Sequence, residues 1–213
     1  MTHVSFHPGR TGTETKVYIL DGDPMVRDSL TFLLAITGLA VEAHASPAGF
    51  LATCSAEQRG CIIMEVHMPL MDGPALQQEL LRRGIHLPVI FLSAHGDIPM
   101  TVKTIKAGAV DFLTKPVDAS ILLERVHEAL EKDAFLREEA MKRRSICCRL
   151  DNLTEREREV MALALAGHPN KEIAKHLGIS YRTVEIHRSR IMHKTGASSL
   201  LELARITSDF PAQ

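Results

Sequence analysis

Long hydrophobic runs are missing from this 213-residue chain. No stretch approaches the ~18 consecutive apolar residues that a membrane-spanning helix needs. The opening residues also lack an apolar secretory core. They carry Pro8, Gly9 and Gly12 and read as a flexible tail over residues 1–14, not as a signal peptide. Both absences argue against a membrane protein and lead to the expectation of a cytoplasmic one. Cysteine is scarce: Cys54, Cys61, Cys147 and Cys148 form no CxxC and no Cys/His spacing suited to zinc. In a reducing compartment they read as free thiols, with Cys61 on a buried strand. The adjacent pair Cys147–Cys148 leaves a redox sensor open as an alternative. An excess of one charge is lacking too, since the net charge is −1, so the chain as a whole does not announce a polyanionic partner. What remains is an ordinary globular composition, 45% hydrophobic and 24% charged, in a length that suits two small domains.

The first part of the chain alternates strand and helix signals. Lys16–Leu20 is a short apolar run that ends in Asp21-Gly22-Asp23. Pro24 then opens a helix whose apolar positions are Val26, Leu30, Leu33 and Leu34. A weak strand near Leu39–Ala43 and a helix near Pro47–Thr53 follow. Cys61–Met64 is a strong apolar run, and the Asp72-Gly73-Pro74 turn leads into a helix with Leu76, Leu80 and Leu81. Val89–Leu92 and Val110–Leu113 are further strands separated by a helix over Met100–Ala107, and Ile121 to Leu130 marks one more helix. Five strands alternating with helices predict a doubly wound, five-stranded parallel sheet over residues 15–130. In such sheets function gathers at the carboxyl ends of the strands, which here carry Asp21-Gly22-Asp23, Glu65, Ser93 and Lys115.

Residues 131–149 are highly charged, with no glycine or proline. They read as a helical linker that continues the preceding helix, with a disordered tether as the alternative. From residue 150 to 213 the pattern is all-α with four helices. Thr154 and Glu157 fit a capping box. Gly167 ends that helix; Asn170 caps a short helix that Gly178 stops; Ser180 caps a third, stopped by Gly196; and Ser198 or Ser199 opens the fourth. The short helix, the Gly178 turn and the longer helix make a helix-turn-helix, whose second helix places its first residues against base edges in the major groove. From His168 to Lys194 six lysines and arginines face two glutamates, a local basic face suited to phosphates.

The strings Leu153-Thr154-Glu155-Arg156-Glu157, Asn170-Lys171-Glu172-Ile173-Ala174 and Ile179-Ser180-x-x-Thr183-Val184-Glu185-x-His187 resemble the LuxR-type domain of the NarL/FixJ response regulators. The resemblance implies that Ser180–Lys194 is the recognition helix, with Ser180 and Thr183 of its first turn among the DNA-binding residues and Glu185, Ile186 and Ser189 at the base edges. Glu185 suits a cytosine amino group and Ile186 a thymine methyl. Lys171, Arg182, His187, Arg190 and Lys194 suit phosphates, which contribute affinity without sequence information. His187 reads equally well as a helix-packing residue.

The N-terminal part resembles the CheY-like (flavodoxin-like) receiver through Asp21-x-Asp23-Pro24, Met68-Pro69-x-Met71-Asp72-Gly73, Ser93-Ala94, Lys106-Ala107-Gly108-Ala109 and Lys115-Pro116. The resemblance implies a phosphoacceptor aspartate at the end of the third strand, an acidic pair holding Mg2+, and a Ser/Thr, a Lys and an aromatic that respond to the phosphate. Ser93, Lys115 and Phe112 match the last three. Glu65 stands at the phosphoacceptor position, and Gly22 replaces the second acid beside Asp21, with Asp23 one residue further on. Mg2+ demands near-octahedral geometry at ~2.0–2.1 Å. Glu65 carries its carboxylate about 1.5 Å further out, and a misplacement of about 1 Å costs ~100-fold in rate. Negligible Mg2+-dependent autophosphorylation is therefore expected, with no cofactor and Mg2+ binding weak or lost. Glu65 facing Lys115 and Ser93 is either a partial phosphate mimic or an inert ion pair.

The function this predicts is a non-enzymatic, promoter-binding transcription regulator that works without phosphate and acts as a homodimer. The family resemblance implies dimer contacts through residues 101–113 or 198–208, and contacts with a histidine kinase and RNA polymerase. A conventional phosphorelay substrate and a protein-sequestering adaptor are the alternatives.

Overall fold

A computed structural model of the chain describes residues 14–94 and 98–209; the N-terminal tail lies outside them. The chain divides into two compact units, Met1–Leu136 and Arg137–Gln213.

In the first unit five strands, β1 (Thr15–Leu20), β2 (Ala40–His44), β3 (Arg59–Met64), β4 (Val89–Ser93) and β5 (Asp111–Thr114), form one parallel sheet in the order β2-β1-β3-β4-β5. Helices α1 (Pro24–Ile36), α2 (Pro47–Thr53), α3 (Gly73–Arg82), α4 (Ile98–Lys106) and α5 (Ala119–Asp151) complete it. Successive side chains on a strand point to opposite faces, and two cores result. Tyr18, Leu20, Ile62, Met64 and Phe91 meet Phe50 of α2 and Leu76 and Leu80 of α3. Val17, Ile19, Cys61, Ile63, Ile90 and Leu92 meet Leu30 and Leu34 of α1 and Leu122 and Val126 of α5. Helices on both faces explain why β3 is an unbroken apolar run and not an alternating one.

Gly60 is fixed by close approach. Its φ is +123°, and a Cβ there would stand 1.7 Å from the Lys16 carbonyl oxygen. Its N–H donates to the buried Asp133 Oδ2 at 3.0 Å, which ties α5 to the foot of β3. The sparse apolar pattern beyond Leu130 does not interrupt the helix: α5 runs unbroken for 33 residues, so residues 131–149 continue the preceding helix and are not a disordered tether.

The second unit contains the end of α5, then α6 (Glu155–Leu165), α7 (Asn170–Leu177), α8 (Tyr181–Thr195) and α9 (Leu200–Asp209). Leu153, Val160, Ile173, Val184, Ile191 and Leu203 form its core. Thr154 and Glu157 make the expected capping box on α6. Gly178 and Gly196 end α7 and α8 with positive φ, as left-handed C-caps require. Ser180 caps α8 by accepting the Thr183 N–H at 3.0 Å, and Ser199 accepts the Glu202 N–H at 3.1 Å at the start of α9. Asn170 does not cap α7. Pro169 occupies the cap position without a side-chain bond, and the Asn170 Oδ1 instead accepts from Arg188 Nη1 at 2.9 Å.

Candidate functional site

The sheet order brings β1 and β3 together, with their connections leaving to opposite sides, and ligand sites form at such a switch point. Asp21 leaves β1, Glu65 leaves β3, Ser93 ends β4 and Lys115 follows β5, so four strand ends converge. Lys115 Nζ donates to Asp21 Oδ2 at 2.6 Å and to Glu65 Oε2 at 2.7 Å. Glu65 Oε1 accepts the Val66 N–H at 2.8 Å and the His67 N–H at 3.3 Å. Asp21 Oδ1 accepts the Asp23 N–H at 2.9 Å. The Ser93 hydroxyl, fully buried, bonds the Glu65 carboxylate. Burial pushes Glu65 up, but the bonds from Lys115 and Ser93, with the lysine charge and the His67 N–H, outweigh it and hold the carboxyl below its ordinary 4.5. Burial likewise pulls Lys115 down, and its bonds to Asp21 and Glu65 keep it above its ordinary 10.5.

The loop after Glu65 is held close to it. The Gly73 N–H donates to the Val66 carbonyl at 2.8 Å, and Asp72 caps α3 by accepting from Ala75 N at 2.8 Å. A Cβ on Gly73 would lie 2.8 Å from the Glu65 carbonyl oxygen and 2.7 Å from the Phe91 ring. Phe112 is half-buried on β5, its ring centroid 6.3 Å from that of Phe91.

The carboxylates of this pocket are already hydrogen-bonded: each carboxylate oxygen of Asp21 and Glu65 accepts a hydrogen bond. Asp23 Oδ1 accepts the Met25 N–H as the cap of α1, and Gly22 contributes no carboxylate. Among the described residues no group of three or more His, Cys, Asp or Glu side chains is placed to hold a metal. The absent acid is not a matter of space, because a Cβ on Gly22 would meet nothing within 4 Å.

In the second unit α7, the Gly178 turn and α8 form the helix-turn-helix, and the Arg188–Asn170 bond joins its two helices. Glu185, Ile186 and Ser189 are exposed along α8, as are Arg182 and Arg190; Lys171 is exposed on α7. Lys171, Arg182 and Arg190 make no ion pair among the described residues. Thr183 is half-buried, and its hydroxyl lies 2.7 Å from that of Ser180. His187 is half-buried, with its Nδ1 enclosed and without a hydrogen-bond partner, which is the surrounding of a packing residue. Lys194 is committed elsewhere. Its Nζ lies 2.7 Å from Glu157 Oε2 and 3.1 Å from the Asn152 carbonyl, so it anchors α8 to the capping box of α6. Tyr181, which opens α8, stands 47% exposed.

A parallel sheet with an acidic switch-point pocket, carried with a helix-turn-helix unit, defines a two-domain regulator of the receiver and DNA-binding type. Residues 17–127 match the response regulator receiver domain, and residues 151–207 match the bacterial regulatory proteins of the luxR family. The chain is 43% identical over 190 residues to the transcriptional regulatory protein FixJ of Azorhizobium caulinodans, covering 89% of this chain and 90% of that one. It is 40% identical over 194 residues to FixJ of Rhizobium meliloti, covering 91% and 95%. The solved structure of the response regulator StyR superposes with a TM-score of 0.85 at 36% identity, covering 93% of this chain and all of that one. The chain belongs to the NarL/FixJ family of response regulators. It is a DNA-binding regulator of transcription, and its relatives are named as regulators, not as enzymes. Among the described residues no helix is long and apolar enough to cross a membrane.

Proposed function

We propose that this regulator binds promoter DNA as a homodimer and holds its receiver in one state without phosphate. One observation carries the reading: Lys115 bridges Glu65 and Asp21 at 2.7 and 2.6 Å, with Ser93 also on Glu65. The lysine and the hydroxyl that would greet an incoming phosphoryl group are already satisfied by a carboxylate at the acceptor position. Glu65 carries one negative charge where a phosphate carries about −1.5 to −2, so it mimics part of that charge. Phosphoryl transfer depends on positioning and on a metal to neutralise charge, and the donor set for that metal is dismantled. A histidine kinase is then not needed for output, while RNA polymerase remains the expected partner at the promoter. On α4, Ile98, Val102 and Ile105 lie on one exposed face, and on α9 Leu201 is 83% exposed; these apolar positions supply dimer surface.

Incubation of the full chain with acetyl phosphate and Mg2+, followed by intact mass, tests this reading. The expected result is an unchanged mass together with promoter binding. A gain of about 80 Da on Glu65 overturns it. So does failure to shift any promoter fragment at low salt, where a phosphate-contacting protein binds most tightly.

A further inference from the structure

Helix α1 carries an apolar row on its solvent side that none of the described residues covers. Met25 is 71% exposed, Phe32 69% and Ile36 65%, and Ser29 is the other exposed residue on that line. At 3.6 residues per turn these four positions fall within about 60° of one another. Single exposed apolar side chains are ordinary, but a row of large ones marks a contact surface. The charges of the helix do not interrupt the row. Arg27 turns inward, its Nη1 donating to the Asp21 carbonyl at 2.7 Å, and Asp28 stands on the flank. Ser29, the one polar member, donates its hydroxyl to the Met25 carbonyl of its own helix at 2.7 Å. That donor is satisfied without water, so covering the row strands no polar hydrogen.

We propose that α1 of one chain packs antiparallel on α1 of a second copy. The register carries the proposal. Met25, Ser29, Phe32 and Ile36 are spaced by four, three and four residues, an order that reads the same in both directions. A two-fold axis between Leu30 and Thr31 therefore sets Met25 against the partner's Ile36 and Phe32 against the partner's Ser29. Each ring meets a small side chain, the alternation that lets two layers interdigitate, and a two-fold contact of this kind closes on itself. Asp28 falls opposite the partner's Leu33, so the pairing sets no two charges face to face. The 13-residue helix is about 20 Å long, so the contact covers less than the ~800 Å2 per partner of a standard interface. It is a weak, concentration-dependent step, separate from the α4 and α9 faces, and it gains strength where DNA holds two chains close together.

Sedimentation equilibrium of the full chain, from micromolar concentration upwards, is the test. The unaltered chain should show an association step that Phe32→Glu weakens at least about thirtyfold, the weight of one central anchor residue. Val102→Glu on α4 should leave that step in place. Ser29→Phe should weaken it, because two rings then meet, and Ser29→Phe combined with Phe32→Ser should restore it, because the antiparallel register again sets large against small. In the unaltered chain the methyl resonances of Met25 and Ile36 should move with the step, a reading that stands even if a variant fails to fold. No such step, an equal step in Phe32→Glu, Met25 and Ile36 methyls that stay fixed through it, or a combined variant no better than Ser29→Phe would overturn the proposal. The α1 row lies outside the Glu65 network, so its failure would leave the reading of that network intact.

Discussion

The ammonium of Lys115 stands 2.7 Å from the carboxylate of Glu65, and neither group is more than a fifth exposed at its side chain. Removing one member of such a pair leaves the other buried without compensation. Lys115→Met also leaves Asp21 and Glu65 facing each other. Chemical unfolding of the first unit should show a loss on the order of 3 kcal/mol. An unchanged midpoint would mean that the lysine is dispensable to the pocket.

The same pair sets a pH window. Glu65 is held below its ordinary 4.5, so its contribution is present above that value and fades as pH falls through the lower folded value. Lys115 is held above its ordinary 10.5, so its contribution is present below that value and is lost as pH rises beyond it. Thermal melts should therefore decline below about pH 4.5, and Glu65→Gln should flatten that decline while lowering stability at neutral pH. Parallel acid limbs for the two proteins would contradict this.

If Glu65 acts in place of a phosphoryl group, its charge and reach matter to output. Glu65→Ala should weaken promoter affinity about tenfold, a typical size for coupling between sites, without altering the salt dependence. Electrophoretic shift across a salt series checks both. Equal affinity would assign Glu65 to the fold alone.

The pocket should be repairable. Glu65→Asp shortens the carboxylate and Gly22→Asp restores the second acid in open space. The double variant should gain phosphorylation from acetyl phosphate and Mg2+ at least about 100-fold over the unaltered chain. Glu65→Asp alone should gain far less. Mass spectrometry with time points distinguishes them, and a double variant that stays unmodified would place the defect elsewhere.

On α8 the exposed cations and the bound one should separate. Arg182→Ala and Arg190→Ala should each weaken binding to all sequences alike and lower the salt slope by about one. Glu185→Ala should change base preference instead. Lys194→Ala should leave the salt slope unchanged and cost the second unit about 2 kcal/mol, since it strips the buried Glu157 of its cation. A reduced slope for Lys194→Ala would return it to the phosphate contacts.

Much of this was legible from pattern. The apolar runs at Lys16–Leu20, Cys61–Met64 and Val89–Leu92 are strands because both faces of the sheet are covered, and the glycines at 178 and 196 end their helices as the sequence suggested. The convergence of Glu65, Ser93 and Lys115 was anticipated as well. The rest depended on contacts between distant residues. Asn170 has the chemistry of a cap, but Arg188, eighteen positions on, takes its oxygen. Lys194 looks like a phosphate contact until Glu157, thirty-seven positions earlier, is seen beneath it. That Lys115 would hold Asp21 as well as Glu65 required the order of the strands, which periodicity does not give.

The open space around Gly22 has an evolutionary reading. A glycine codon can become an aspartate codon through a single base change, and a glutamate codon can do the same. Because a Cβ at position 22 would meet nothing within 4 Å, an acid can enter there with no compensating repacking to undo first.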